Sequence, residues 1–158
     1  MIIALGSDHA GLSLKNEILK HLKKKDVEFK DFGTYTMESC DYPDFGEKVA
    51  TEVAKGNYDL GILVCGTGIG ISIAANKVPG IRAANCSDTF SAHACRQHNN
   101  ANILALGERV VGVGVALDIV DAFLNATFEG GRHATRVNKI SDIEKNIINR
   151  FWGGKNNE

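Results

Sequence analysis

Prolines are scarce in this chain: two among 158 residues, against seventeen glycines, which leaves the tight turns to glycine. An excess of one charge is missing too. Eighteen Lys and Arg face nineteen Asp and Glu, a formal net charge of −1. A nucleic-acid binder would carry a broad basic footprint, so that class is excluded, and an anionic partner must be held by a local basic cluster. No apolar run is long enough to cross a membrane. "MIIALGSDHAG" opens with an apolar hexad but no basic leader. "VVGVGVALDIVDAFL" (110–124) is interrupted by Asp118 and Asp121, so a buried helix is expected there. Finally, no C-x-x-C pair exists. Cys40, Cys65, Cys86 and Cys95 read as reduced thiols of a cytoplasmic protein, not as staples or zinc ligands.

What is present is an ordinary globular composition, 44% apolar and 23% charged, which argues against disorder. The length suits one domain over residues 1–151, followed by a flexible tail over 152–158. Strand-like runs at Ile2–Gly6, Val27–Phe32, Asp59–Val64, Arg82–Asn85 and Asn102–Leu106 alternate with helical patterns. The helices expected are one after "HAG" reaching the Lys23–Lys25 run, then Pro43–Lys55, Gly68–Lys77, Asp88–His98, Val113–Asn125 and Ser141–Phe151. This rhythm predicts an α/β, doubly wound (Rossmann-like, flavodoxin-like) parallel sheet of five strands with helices on both faces, in the order 2-1-3-4-5. In that order strands one and three are neighbours whose outgoing loops diverge. The loops are "GSDHAG" and "CGTGIG", and a ligand crevice opens between them.

Neither loop is a known nucleotide motif. "GSDHAGLS" has P-loop spacing, but Leu12 stands where lysine is needed. "GTGIGI" is G-x-G-x-G after the third strand, with no acidic residue for a ribose. The loop Gly66, Thr67, Gly68, Ile69 and Gly70 reads instead as an anion cradle: backbone N–H groups at a helix start can hold a phosphate or steady an oxyanion. A tight turn used for packing alone is the plain alternative. Cys65 tips the balance, because a thiol at a helix start can serve as base or nucleophile. Asp8 and His9 would face it, and Thr67 adds a hydroxyl.

Two further clusters stand out. In "FSAHACRQHNNANI", His93 and His98 are five apart and point in different directions on a helix, so zinc is not favoured. His98 followed by Asn99 at a helix end suits acid–base work and hydroxyl binding, or simple helix capping. In "EGGRHATR", Arg132 and Arg136 are four apart; if helical, they share a face that could grip a phosphate, with Arg109 joining them. Solvated surface arginine is the alternative.

Taken together, "GSDHAG", "DYPDF", "CGTGIGISIAANKVPGIRAA", "RQHNNANILALGERV" and "EGGRHATRV" resemble the ribose-5-phosphate isomerase B family, grouped with the galactose-6-phosphate isomerases. The resemblance runs from Ile2 to about Arg150. It implies interconversion of ribose 5-phosphate and ribulose 5-phosphate in the pentose phosphate pathway, without metal or cofactor. By the same resemblance Cys65 is the base moving a proton between C1 and C2, and His98 opens the sugar ring. Asp8, His9, Asn99 and Arg109 contact substrate. Gly66 to Gly70 steady the enediolate, and Arg132 and Arg136 grip the phosphate. Members with a glutamate base carry it later in the loop, where this chain has Ala75. The rivals are an isomerase of allose or galactose 6-phosphate, a non-catalytic phosphosugar sensor, and a thiol redox protein.

One expectation is geometric. Cys65 and Asp8 belong at the carboxyl edge of the sheet, whereas His98 precedes strand five and belongs near the opposite edge. His98 and Asn99 are therefore expected to complete the site of a second copy, in a homodimer or a dimer of dimers.

Overall fold

A computed structural model describes residues 1–151; the tail expected over 152–158 lies outside the described residues. Five strands, β1 (Ile2–Ser7), β2 (Glu28–Asp31), β3 (Leu60–Cys65), β4 (Ala83–Asn85) and β5 (Ile103–Gly107), form one parallel sheet. Six helices interleave or follow: α1 (Leu12–Lys24), α2 (Tyr42–Ala54), α3 (Ile69–Ala75), α4 (Thr89–Asn99), α5 (Val113–Asn125) and α6 (Gly131–Phe151).

Period-two alternation in the strands splits the core between the two faces. Ile3, Leu5, Ile62, Val64, Leu104 and Leu106 face one way, onto Leu14, Ile18 and Leu22 of α1, Ala92 and Cys95 of α4, and Ile119 and Phe123 of α5. Ala4, Leu63, Cys65, Ile103 and Ala105 face the other, onto Val49 and Val53 of α2 and Ile71 and Ala75 of α3. Helices on both faces give the α/β/α sandwich that the sequence predicts.

The strand order differs from expectation: it is 2-1-3-5-4, not 2-1-3-4-5. The reason is burial. "ILALG" of β5 is buried at every position and suits a central place, whereas "AAN" of β4 is short and partly exposed, fit for an edge. The chain steps past the β5 position through α3, then returns through α4. Right-handed crossovers put rightward connections (α2, α3) on one face and leftward ones (α1, α4) on the other, which matches the two halves of the core. β1 and β3 remain neighbours, so the crevice between their exits survives the correction.

The last helix also differs. The sequence suggests a start at Ser141, but α6 runs unbroken from Gly131. Residues 132–140 hold no glycine or proline to stop it, and Ser141 bonds back to the Val137 carbonyl in mid-helix (3.3 Å) rather than capping. Val137 is its one buried residue, and Ile140, Ile143, Ile147 and Phe151 are exposed. The expectation for 110–124 holds as α5, and no helix among the described residues is long and apolar enough to cross a membrane.

Candidate active site

β1 and β3 end side by side, with Ser7 opposite Val64. The ladder continues one step, as the Asp8 N–H donates to the Val64 carbonyl (3.3 Å), so Asp8 is delivered next to Cys65, the last residue of β3. The Asp8 carboxylate accepts the Gly11 N–H (3.0 Å) and caps the short turn that carries His9. Burial pushes the Asp8 carboxyl above its ordinary range, against the pull of His9, the Gly11 and Ala10 amides and Arg109.

His9 is fixed by the opposite loop. Its Nδ1 accepts the Cys40 N–H at 3.2 Å, with the Cys40 sulfur 3.9 Å away. An acceptor role for Nδ1 places the proton of a neutral ring on Nε2. The loop that carries Cys40 is anchored at its start by Lys15. This fully buried ammonium bonds both Asp31 oxygens (2.7 and 2.8 Å) and the Thr34 carbonyl (2.7 Å).

Cys65 is 4% exposed, and it lines an open cavity of about 450 Å³ with Asp8, His9, Tyr42, Thr67 and Arg109. Gly66, Ile69 and Gly70 complete one wall. Gly68 lies behind that wall at φ +78°, where a Cβ would fall 2.2 Å from Asn85 Oδ1. Its N–H donates to the Cys65 sulfur (3.1 Å), and the Ile69 N–H donates to Thr67 Oγ1 (3.3 Å). Two of the five amides expected to converge on an anion, those of Gly68 and Ile69, are thus engaged inside the loop instead. The helix behind the loop is shorter than expected, Ile69–Ala75, and Ala75 is buried in the core.

Arg109 reaches the same cavity from β5. The Glu108 N–H donates to the Cys65 carbonyl and the Arg109 N–H to that of Gly66, both at 3.0 Å, extending the ladder by two residues. Arg109 itself is exposed, and its guanidinium lies over Gly66. Tyr42 was not singled out by sequence reasoning. It opens α2 just before Pro43, and its ring packs so close to Gly70 that a Cβ there would lie 2.7 Å away. The signal was in "DYPDF": a residue beside a helix-opening proline, at the edge where ligands bind.

The remaining residues form a second group elsewhere. His98 sits in the last turn of α4, where the Arg82 Nε donates to the Asn99 carbonyl (3.1 Å) and the Asn102 carbonyl meets the Gly61 N–H (2.9 Å). That is the entry edge of β3. Cys65 stands at the exit, four residues and about 13 Å of strand away. His98 stacks on His133, with ring centroids 4.3 Å apart and planes 7° from parallel. Arg132 and Arg136 flank His133 on the first turns of α6, both exposed, with the Arg136 guanidinium bonded to the Arg132 carbonyl (3.4 Å). Burial, with the neighbouring His98 and Arg132 acting in the same direction, pushes His133 below the usual histidine range. The structure therefore gathers Asp8, His9, Cys65, Gly66, Thr67, Ile69, Gly70 and Arg109 in one place, and His98, Asn99, Arg132 and Arg136 in another.

Comparison with known proteins shows the family. Residues 3–140 match the family model described as Ribose/Galactose Isomerase. A protein named ribose-5-phosphate isomerase B from Escherichia coli is 55% identical over 143 residues, covering 90% of this chain and 96% of that one. The solved structure of ribose-5-phosphate isomerase B from Clostridium thermocellum superposes with a TM-score of 0.92 at 63% identity, over 93% of this chain and 99% of that chain. A crystal structure of the Mycoplasma genitalium enzyme of that name, with bound ribulose 5-phosphate, superposes with a TM-score of 0.88 at 48% identity, over 91% and 96%.

Proposed function

The chain belongs to the ribose/galactose isomerase family, and from that premise we propose that it is a metal-independent ribose-5-phosphate isomerase, interconverting ribose 5-phosphate and ribulose 5-phosphate in the pentose phosphate pathway. The observation that carries the reading is the cavity in which the Cys65 thiol, a buried carboxyl and a histidine meet a glycine loop. Aldose–ketose isomerisation needs a base on one side of the reacting carbons and oxyanion donors on the other.

In this reading the Cys65 thiolate takes the proton from C2, and the electron pair moves onto O1 to give an enediolate. The same sulfur returns the proton to C1 as the C2 carbonyl forms, and one hydroxyl proton passes from O2 to O1. Thr67 Oγ1 accepts the Ile69 N–H, so its own hydrogen is directed elsewhere and can be donated to an oxyanion. The amides of Gly66, Thr67 and Gly70 supply further donors. Asp8 and His9 contact the sugar, and Arg109 closes the cavity over the glycine loop.

Ring opening and phosphate binding fall to His98, Asn99, Arg132 and Arg136 of a second copy. Two observations support a homodimer. These residues lie at the opposite edge of the sheet from Cys65 in the same chain. The apolar stripe Ile140, Ile143, Ile147 and Phe151 on α6 is exposed among the described residues, and a two-fold dimer would bury it. An assay on ribose 5-phosphate with chelator present tests the reading; rates on allose 6-phosphate and galactose 6-phosphate, run beside it, identify the substrate. Faster turnover of a six-carbon phosphate, or no turnover of any, would overturn it.

A further inference from the structure

The His98–His133 stack has a third member. Glu129 lies four residues before His133, and its backbone N–H donates to the Gln97 carbonyl (3.1 Å), which ties its loop to the end of α4. The ligand atoms of His98, Glu129 and His133 lie within 4.8 Å of one another. His133 Nε2 is buried and has no hydrogen-bond partner. Glu129 Oε2 stands 3.6 Å from it, too far for a hydrogen bond. Two ligands bound tetrahedrally at zinc distances stand about 3.4 Å apart, so this gap has the width of one coordination edge. The nitrogen lone pairs of two parallel rings do not converge. Coordination therefore requires the His98 ring to turn about its soft terminal torsion, out of the stack.

We infer that His98, Glu129 and His133 form an inhibitory site for a divalent transition-metal ion of the zinc type. Two imidazoles and one carboxylate favour such ions over magnesium or calcium, which prefer all-oxygen shells. Three protein ligands leave a position open to water. Bound metal occupies the imidazole that the isomerase reading assigns to ring opening, so the inhibitory part rests on that reading. Ion binding itself does not.

The test uses the full-length chain, cleared of metal by a chelator that is then removed. Calorimetric titration with Zn²⁺ should give about one ion per chain, and Co²⁺ should develop the visible absorption of a tetrahedral complex. Glu129→Gln and His133→Ala should each weaken Zn²⁺ by at least ~10–100-fold. Cys65→Ser should bind Zn²⁺ as the parent does. In turnover assays Zn²⁺ should inhibit at the concentration where it binds, and chelator should restore the rate. Glu129→Gln should keep its turnover and resist the inhibition. Absence of saturable Zn²⁺ binding overturns the proposal. So does unchanged affinity in both variants, or loss of binding in Cys65→Ser, which would mean that the thiol is the ligand. If binding occurs as stated but the chain turns over no sugar phosphate, the ion site stands and the isomerase reading fails.

Discussion

The sulfur of Cys65 accepts the backbone N–H of Gly68 at 3.1 Å, and Gly68 makes this contact at φ +78°. The angle and the contact come together. The left-handed turn folds the loop back so that an amide three residues on reaches the side chain at the strand end. Glycine is required twice over, since a side chain would be strained there and would strike Asn85.

Gly68→Ala should therefore cost about 1–3 kcal/mol of stability, read as a lower midpoint in urea, together with a loss of turnover larger than the loss of folded protein explains. An alanine variant as stable and active as the parent would show that the loop does not need this turn.

Cys65→Ala should fold normally, since it removes one small side chain. Its turnover should fall by roughly 10²–10⁴-fold, the range for loss of a placed proton-transfer group. Steady-state rates on ribose 5-phosphate, with the thermal midpoint as control, decide this. Near-parental turnover would remove Cys65 from the base role.

Subunit mixing tests the shared site. Cys65→Ala and His98→Gln should each be nearly inactive alone. Random exchange between them creates heterodimers with one intact site, so equal mixing should recover about a quarter of parental activity. No recovery after proven exchange would place His98 and Cys65 in the same chain's site.

Asp121 gives a pH prediction away from the site. Its carboxylate bonds Lys25 (2.5 Å) and His21 (2.8 Å). Burial works against its ionisation, but these two hydrogen bonds prevail and hold it below the usual carboxylate range. A group depressed on folding stabilises above its unfolded pKa and loses that effect as pH falls through the folded value. Asp121→Asn should thus cost about 0.5–1 kcal/mol near neutral pH. The difference from the parent should shrink as pH drops below about 4, where the parent carboxyl also takes up its proton. Urea unfolding at several pH values measures it; a gap constant down to pH 3 would contradict the assignment.

Much of this was legible in the sequence, because the informative features are local. Strand–helix alternation and the loops after β1 and β3 depend on near neighbours in the chain. Placing Asp8, His9 and Thr67 beside Cys65 required only the adjacency of the β1 and β3 exits. Arg109, which the sequence groups with Arg132 and Arg136, instead joins Cys65 because β5 rather than β4 lies beside β3. The misses concern long-range choices. β4 and β5 exchange places because the order depends on which strand is better buried on both faces; "ILALG" against "AAN" holds that information, and the number of strands does not. α6 began ten residues early because the Ser141–Asp142 pair resembles a cap and nothing local marks the start. Glu129 and His133 went unselected because the partnership with His98 is made by α4 meeting α6 in space.

The distance between His98 and Cys65 along the sheet makes protein concentration a control on catalysis in the shared-site reading. A newly synthesised chain holds both halves of the machinery and can use neither on the same sugar until it pairs. Rate per chain should then drop on dilution below the pairing constant, and an agent wedged against the α6 stripe would silence the enzyme without entering either cavity.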